Sequence, residues 1–219
     1  MSIEREVVPD ADAVARRGAE VIADRARRAV GERGSFAIAV SGGHTPVAMF
    51  RALGEHDLPW DAISIHQVDE RIAPPGSDDR NLTHLMASLP DAARRRVHAM
   101  PVEAPEPAAA AAAYAAQLPA LDLVHLGIGD DGHTASLVPG DPVLEVTDRA
   151  VAVTGEYRGR QRMTLTYPAL DAAAEVLWIV AGDGKRDAVA KLLAGDPSVP
   201  AGRVANQHML LVADEAAAG

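Results

Sequence analysis

Short apolar runs alternate along this chain with stretches in which apolar residues recur at helical spacing. Continuous apolar runs are typical of buried strands, and a period of 3.6 residues is typical of helices that pack on a core. The pattern predicts strands over 36–40, 63–68, 97–100, 121–128, 150–154, 163–167, 176–181 and 209–212. It predicts helices over 12–30, 45–53, 81–89, 107–118 and 185–193.

The order of these elements indicates the fold class. Strands that alternate with helices predict an α/β fold, in which a mostly parallel sheet is doubly wound by helices on both faces. The region 143–166 interrupts the alternation and predicts a small β-rich insertion. The chain contains no low-complexity linker and no internal repeat, so its 219 residues are expected to form a single α/β domain over 1–219.

Composition narrows the range of partners. The net charge of −10, with 31 acidic against 21 basic residues, argues against nucleic acid, since duplex binding depends on basic surface. The absence of cysteine excludes thiolate chemistry and fits a reducing compartment. Residues 1–9 lack the apolar core of a signal peptide, and no apolar run is long enough to span a bilayer. We therefore expect a cytoplasmic protein with no membrane or nucleic-acid partner.

The segment 126–140 carries the densest candidate chemistry. It places Gly127 at the end of the strand predicted at 121–128, followed by Gly129, Asp130, Asp131, Gly132 and His133. Ligands bind at the carboxyl ends of strands in open α/β sheets, and a histidine beside an aspartate can serve as a general base. The glycines also match the spacing G-x-G-x-x-G, but the two aspartates would face a pyrophosphate, so we reject a dinucleotide site.

A second strand end resembles an anion cradle. Ser41, Gly42 and Gly43 follow the strand at 36–40, and Thr45 opens the next helix. A glycine turn ahead of a helix N-terminus presents backbone N–H groups and the positive end of the helix dipole. Such a turn can also be a tight connection without a ligand, but the flanking hydroxyl side chains favour a phosphate.

Two further strand ends add charged groups. Asp69 and Arg71 follow the strand at 63–68, and the loop after them leads to a capped helix at Asn81. Arg71 can pair with an anionic oxygen, and Asp69 can bind hydroxyl groups. Lys185 falls at a predicted helix N-terminus, where a cation is unfavourable. This placement favours a role in binding an anion, although an ordinary surface lysine is the alternative. Because these groups share one sheet edge, they suit a small phosphorylated polyol.

Ordered motifs over residues 36 to about 193 resemble the 6-phosphogluconolactonase family. The pattern S-G-G-x-T-P stands at 41–46, V-D-E-R at 68–71 and G-x-G-x-D-G-H-T-A-S-L-F-P at 127–139, with Val138 in place of phenylalanine. Arg162 precedes T-x-T-x-P-A-L, and G-x-x-K stands at 182–185. The resemblance implies a modified Rossmann fold, which the wider superfamily shares with glucosamine-6-phosphate deaminases.

The resemblance also implies an activity and a set of roles. It implies hydrolysis of 6-phospho-D-glucono-1,5-lactone to 6-phosphogluconate, the second step of the oxidative pentose phosphate pathway. His133 would be the general base, Asp131 would orient it or the sugar, and Arg71 or nearby amides would stabilise the oxyanion. The substrate-binding residues that it implies are Ser41, Gly42, Gly43, Thr45, Asp69, Asn81, Gly129, Arg162 and Lys185.

Two other functions stay open on the sequence. A deaminase of the same superfamily would need a glutamate that the segment 134–139 lacks, and a sugar-phosphate sensor would carry a helix-turn-helix where this chain has one helical stretch. No cofactor is required, and one histidine with Asp69 and Asp131 is a poor zinc ligand set, so no metal is expected. The resemblance favours a monomer.

Overall fold

The computed structural model describes residues 3–219 and arranges them as two sheets with flanking helices; Met1 and Ser2 lie outside the described residues. The strands are β1 Ile3–Val8, β2 Phe36–Val40, β3 Ile63–Gln67, β4 Asp69–Arg71, β5 Val97–His98, β6 Leu123–Leu126, β7 Val151–Val153, β8 Arg162–Leu165, β9 Val176–Val180 and β10 Met209–Asp214. The helices are α1 Ala11–Arg33, α2 His44–Leu53, α3 Asn81–Ser88, α4 Asp91–Arg94, α5 Pro107–Gln117, α6 Tyr167–Ala172, α7 Arg186–Ala194 and α8 Glu215–Ala218. None of the helices between residues 3 and 219 has the length and hydropathy of a membrane-spanning segment.

The main sheet has seven strands in the order β1-β10-β9-β6-β2-β3-β5, and every neighbouring pair in it is parallel. The chain moves from β2 outward to β3 and β5, then returns to add β6, β9 and β10 on the other side of β2. The strand order therefore reverses between β2 and β6. In open α/β sheets, ligands bind in the crevice at such a reversal.

Helices cover both faces of this sheet, which confirms the doubly wound α/β class. On one face α1, α2 and α3 form a core that includes Ile22, Met49 and Phe50. On the other face α5 and α7 pack with the smaller sheet, and Tyr114 and Leu192 are buried there. Each large apolar side chain removed from water in this way stabilises the fold by roughly 1.5–3 kcal/mol.

The smaller sheet is antiparallel, with the order β4-β8-β7. Its strands β7 and β8 confirm the predicted β-rich insertion. The third strand, β4, directly follows β3 and was not predicted, because its sequence Asp69-Glu70-Arg71 is fully charged. It pairs Asp69 with Thr164 and Arg71 with Arg162. A motif expected to leave the sheet as a loop is therefore fixed in register against β8, which lies more than 90 residues further along the chain.

Other boundaries also differ from the prediction. β1 was missed because three charged residues in succession, Glu4 to Glu6, interrupt its apolar positions, so this strand at the sheet edge has no continuous apolar run. The strand predicted over 163–167 ends at Leu165, since Pro168 suits the first turn of α6. Lys185 does not open α7 but ends a short 3₁₀ turn, Asp183–Lys185, directly before it.

Candidate active site

A cavity of about 200 Å³ opens where β2 and β6 end. Its lining residues are Ser41, Gly42, Gly43, Asp69, Arg71, Asn81, Gly127, Ile128, Gly129, His133, Ala135 and Arg162. The structure thus brings together most of the residues that the motifs singled out. Asp131 is hydrogen-bonded to His133, and Thr45 lies in the first turn of α2. Lys185 follows β9, the strand beside β6, and is not among the described residues that line the cavity.

The turn between β2 and α2 depends on its glycines. Gly43 is the N-cap of α2 with φ 128° and ψ 178°, a conformation that L side chains rarely adopt. A side chain at Gly42 would overlap the Asn81 side chain. Gly43 makes no side-chain cap to α2, and it lines the cavity together with Gly42. This geometry suits an anion at the helix N-terminus.

The buried residue His125 is hydrogen-bonded to the start of this turn. The Ser41 amide donates to Nδ1 of His125 over 3.3 Å, and the Ser41 hydroxyl donates to the His125 carbonyl over 3.1 Å. Burial lowers the pKa of His125 to about 3, so the ring is neutral and its Nδ1 can accept. Sequence reasoning assigned His125 no role; its one signal was a polar residue inside an apolar strand.

His133 and Asp131 form a hydrogen-bonded pair at the edge of the cavity. Nδ1 of His133 lies 2.6 Å from Oδ1 of Asp131, which also accepts the His133 amide over 3.1 Å. Burial tends to raise the pKa of Asp131, but these hydrogen bonds outweigh it and hold the pKa below its ordinary value. An ionised Asp131 keeps the proton on Nδ1 and leaves Nε2 as the basic atom. Gly129 is required beside this pair, since a side chain there would collide with the His133 ring.

Two arginines lie next to each other on the smaller sheet. Arg71 and Arg162 are directly opposite across β4 and β8, a placement that is unfavourable for like charges. No carboxylate oxygen of the described residues lies within 4.0 Å of either guanidinium. Burial lowers the pKa of Arg162, the charge of Asp69 opposes this shift, and the charge of Arg71 adds to it. The pair is therefore suited to bind an anion from the cavity.

Asp69 and Asn81 form the floor between the arginines and the glycine turn. Asp69 is buried and accepts the Ser136 hydroxyl over 2.6 Å and the Asn81 amide over 3.2 Å. Burial raises the pKa of Asp69, although the Ser136 hydrogen bond and the two arginines oppose this shift. Asn81 in turn accepts from Nη1 of Arg71 over 3.3 Å. Ser136 is fully buried and engaged with Asp69, which does not suit a nucleophile.

Glu70 caps the N-terminus of α3, a role that the sequence analysis did not predict. It is fully buried, and its two oxygens accept the backbone N–H groups of Asn81 and Leu82, each over 2.8 Å. The helix at Asn81 was predicted to be capped, but the residue at its N-cap position, Arg80, makes no side-chain cap. The cap comes instead from Glu70 on β4.

No group of three or more His, Asp or Glu side chains comes together as a metal site within residues 3–219. The groups that meet in the cavity are instead a histidine–aspartate pair, two arginines, a buried aspartate and a helix N-terminus without a side-chain cap. Together they can accept a proton, bind an anion and contact hydroxyl groups.

Residues 9–213 match the family model described as glucosamine-6-phosphate isomerases/6-phosphogluconolactonase. The chain belongs to this family. Among curated members, the 6-phosphogluconolactonase of Nostoc sp. is 39% identical over 233 residues, which cover 98% of this chain and 96% of the relative. The 6-phosphogluconolactonase of Rhizobium meliloti is 36% identical over 204 residues, covering 87% of this chain and 88% of the relative.

Solved structures of the family share the whole fold. The 6-phosphogluconolactonase of Thermotoga maritima matches with a TM-score of 0.85 and 25% identity, over 97% of this chain and 99% of that one. A monomeric glucosamine-6-phosphate deaminase matches with a TM-score of 0.84 and 18% identity, over 99% of each chain. At that identity the second likeness concerns the fold alone, so the fold does not separate the two activities of the family.

Proposed function

We propose that this chain hydrolyses 6-phospho-D-glucono-1,5-lactone to 6-phosphogluconate, the second step of the oxidative pentose phosphate pathway. The observation that carries the proposal is the Asp131–His133 pair at a cavity whose other wall holds the guanidinium groups of Arg71 and Arg162, neither of which has a carboxylate oxygen of the described residues within 4.0 Å. A base and an anion site in one cavity match a phosphorylated lactone. The names of the curated relatives support the same reaction.

His133 acts as the general base in this proposal. Asp131 accepts the Nδ1–H, so Nε2 takes a proton from a water molecule as the water oxygen attacks the lactone carbonyl. The bond between C1 and the ring oxygen then breaks, and His133 gives the proton to that departing oxygen, which becomes the hydroxyl group on C5. Proton transfer by a positioned side chain contributes roughly 100- to 10,000-fold to the rate.

The remaining residues bind and polarise the substrate. The amides of Gly42 and Gly43, with Thr45 beside them, hold the phosphate together with Arg162 and Lys185. Arg71 or nearby amides stabilise the oxyanion as the carbonyl is attacked. The other proposed binding residues contact sugar hydroxyls or leave room for the ring, and they are Ser41, Asp69, Asn81 and Gly129.

We also infer that the protein acts as a cytoplasmic monomer of one domain, without a cofactor or a nucleic-acid partner. The net charge of −10 argues against a nucleic-acid partner, and the lack of cysteine fits a reducing compartment. Light scattering coupled to size-exclusion chromatography tests the monomer, since a mass well above 22.9 kDa would contradict it.

The decisive experiment compares the wild type with His133→Asn on freshly prepared lactone, after subtraction of spontaneous hydrolysis. We expect kcat to fall at least about 100-fold, because the variant cannot accept the proton. His208→Asn is the matched control, since His208 is exposed and precedes β10 at the opposite edge of the sheet. Full activity in a folded His133→Asn variant would remove His133 from the mechanism.

Deamination is the alternative activity within the family. Residues 134–139 carry no carboxylate beside His133 that could assist ring opening of an amino sugar. We therefore expect no release of ammonia from glucosamine 6-phosphate above the background rate. Ammonia release without lactone hydrolysis would overturn the proposed function.

A further inference from the structure

The loop between β7 and β8 turns back over the Asp131–His133 pair. Tyr157 and Arg160 exchange two backbone hydrogen bonds, of 3.0 and 3.3 Å, around a two-residue turn. Both central residues have positive φ, 51° at Arg158 and 77° at Gly159. This is the backbone of a tight β-hairpin turn, so the position of Tyr157 is set by the fold of the loop itself.

Both arms of this loop are attached to the rest of the molecule. Nη2 of Arg160 donates to Oδ2 of Asp79 over 2.7 Å, and the Gly155 amide donates to Oδ2 of Asp141 over 2.9 Å. Asp79 lies in the loop between β4 and α3, and Asp141 lies in the segment between β6 and β7. These contacts fix both arms of the loop and hold Tyr157 beside the Asp131–His133 pair.

Tyr157 contacts both the Asp131–His133 pair and Arg162. Its hydroxyl donates to Oδ2 of Asp131 over 3.0 Å, while the other oxygen of Asp131 faces Nδ1 of His133. Its ring meets the His133 ring edge to face at 5.8 Å, and the guanidinium of Arg162 lies 5.0 Å from its centroid. Burial and the neighbouring Asp131 raise the pKa of Tyr157, so its hydroxyl keeps the proton that it donates.

We propose that Tyr157 is a positioning residue, which fixes the Asp131 carboxylate so that His133 keeps its proton on Nδ1, and which supports the guanidinium of Arg162. The Asp131 side chain is 34% exposed and lies in a loop, so without the hydroxyl one of its oxygens would have only water to restrain it. Donors on both oxygens define the rotation of the carboxylate. This role rests on the proposed function of His133 as the base.

Two substitutions separate the hydroxyl from the ring. Tyr157→Phe removes only the hydrogen bond to Asp131, so we expect kcat to fall roughly 10-fold with KM within about 2-fold of the wild type. Tyr157→Ala also removes the ring beside Arg162, so we expect a similar or larger loss in kcat together with a raised KM. A Tyr157→Phe variant with the kcat of the wild type would overturn the proposal.

The chain offers a closely matched control. The Tyr167 hydroxyl donates to the Pro200 carbonyl over 3.0 Å, and the guanidinium of Arg203 lies 5.1 Å from its ring centroid. Tyr167 therefore has the same kinds of contact outside the cavity. We expect Tyr167→Phe to keep the kinetic constants of the wild type, and equal losses in Tyr167→Phe and Tyr157→Phe would indicate a general effect on the fold and overturn the specific role.

A spectroscopic measurement separates this inference from the proposed activity. Long-range ¹H–¹⁵N correlation spectra report the tautomer of His133, whose signals are assigned by their loss in His133→Asn. We expect one Nδ1–H tautomer in the wild type and a mixture in Tyr157→Phe. That result in a protein without lactonase activity would support the positioning role while contradicting the proposed function. An unchanged tautomer in folded Tyr157→Phe would overturn the positioning role itself.

Discussion

Glu70 holds together the segments that carry Arg71 and Asn81 in the cavity. Its carboxylate is completely buried and accepts the Gln67 side-chain amide over 2.9 Å and the Arg71 backbone amide over 2.8 Å, besides capping α3. Nε of Arg80 lies 3.3 Å away and supplies the compensating charge. One carboxylate thus joins β3, β4 and α3 behind the cavity.

Replacing this carboxylate by an amide should be costly. Both oxygens of Glu70 face donors, so Glu70→Gln would place a donor NH₂ group against other N–H groups and leave Arg80 without its buried partner. We expect a loss of about 3 kcal/mol in the free energy of unfolding, measured by urea denaturation.

The control is the second carboxylate that Arg80 binds. Glu103 lies 2.8 Å from Nη1 of Arg80, but its side chain is 54% exposed. Exposed ion pairs contribute little, so Glu103→Gln should cost less than about 1 kcal/mol. Equal effects of the two substitutions would mean that burial of Glu70 is not what makes it important.

At the scale of elements, the connection between β2 and α2 needs glycine at position 43 because its φ is positive, and the helix that follows has no side-chain cap. A Cβ at Gly43 would lie 3.5 Å from Cδ of Pro46, an ordinary contact, so only the positive φ opposes a side chain. We expect Gly43→Ala to lower the free energy of unfolding by about 1–3 kcal/mol and to raise KM for the lactone, because the turn must change to relieve the strain.

Gly31 provides the opposite case for the same substitution. It lies exposed in the last part of α1, and no atom lies within 4 Å of the position that its Cβ would take. Gly31→Ala should therefore stabilise the protein by about 0.4–1 kcal/mol in the same denaturation assay, with no change in KM. A destabilised Gly31→Ala variant would show that the cost at Gly43 is not specific to its backbone conformation.

The elements that could be predicted from the sequence are those whose side chains all face one environment. The buried strands β2 and β9 are continuous apolar runs, and β6 is apolar except for His125; their boundaries agree with the prediction to within about two residues. β1 and β4 could not be predicted, since one is a half-exposed edge strand and the other is fully charged. Both exist because a distant strand offers hydrogen bonds, and local pattern does not contain that partner.

The residues of the candidate site also fall into those that the sequence could single out and those that only the structure reveals. The glycine turn, Asp69, Arg71 and His133 could be singled out because each directly follows an apolar run at the predicted sheet edge. Tyr157 and Glu70 could not, because their contacts depend on how a hairpin returns and on how a charged strand is buried. The pairing of Arg71 with Arg162 also required the register of the smaller sheet.

At the scale of the whole molecule, two buried histidines should make the fold sensitive to acid. Burial, with a smaller contribution from the stacked neighbour His98, lowers the pKa of His66 to about 4, and burial alone lowers that of His125 to about 3. Below pH 6.5 these two histidines take up protons in the unfolded chain but not in the native protein. The free energy of unfolding therefore decreases as the pH is lowered towards the native pKa values. Burial raises the pKa of Asp69, which acts in the opposite direction.

The contribution of His66 can be isolated by comparing slopes. Between pH 6.5 and pH 5, we expect each of the two histidines to remove roughly 1.5 kcal/mol from the free energy of unfolding of the wild type. His66→Phe keeps an aromatic ring beside His98 but cannot titrate, so its stability should fall less steeply with acid by about that amount. Urea denaturation at several pH values gives both curves, and the contribution of Asp69 cancels between them. Parallel curves would mean that His66 is protonated equally in the native and unfolded states, so that its burial does not exclude the charged form.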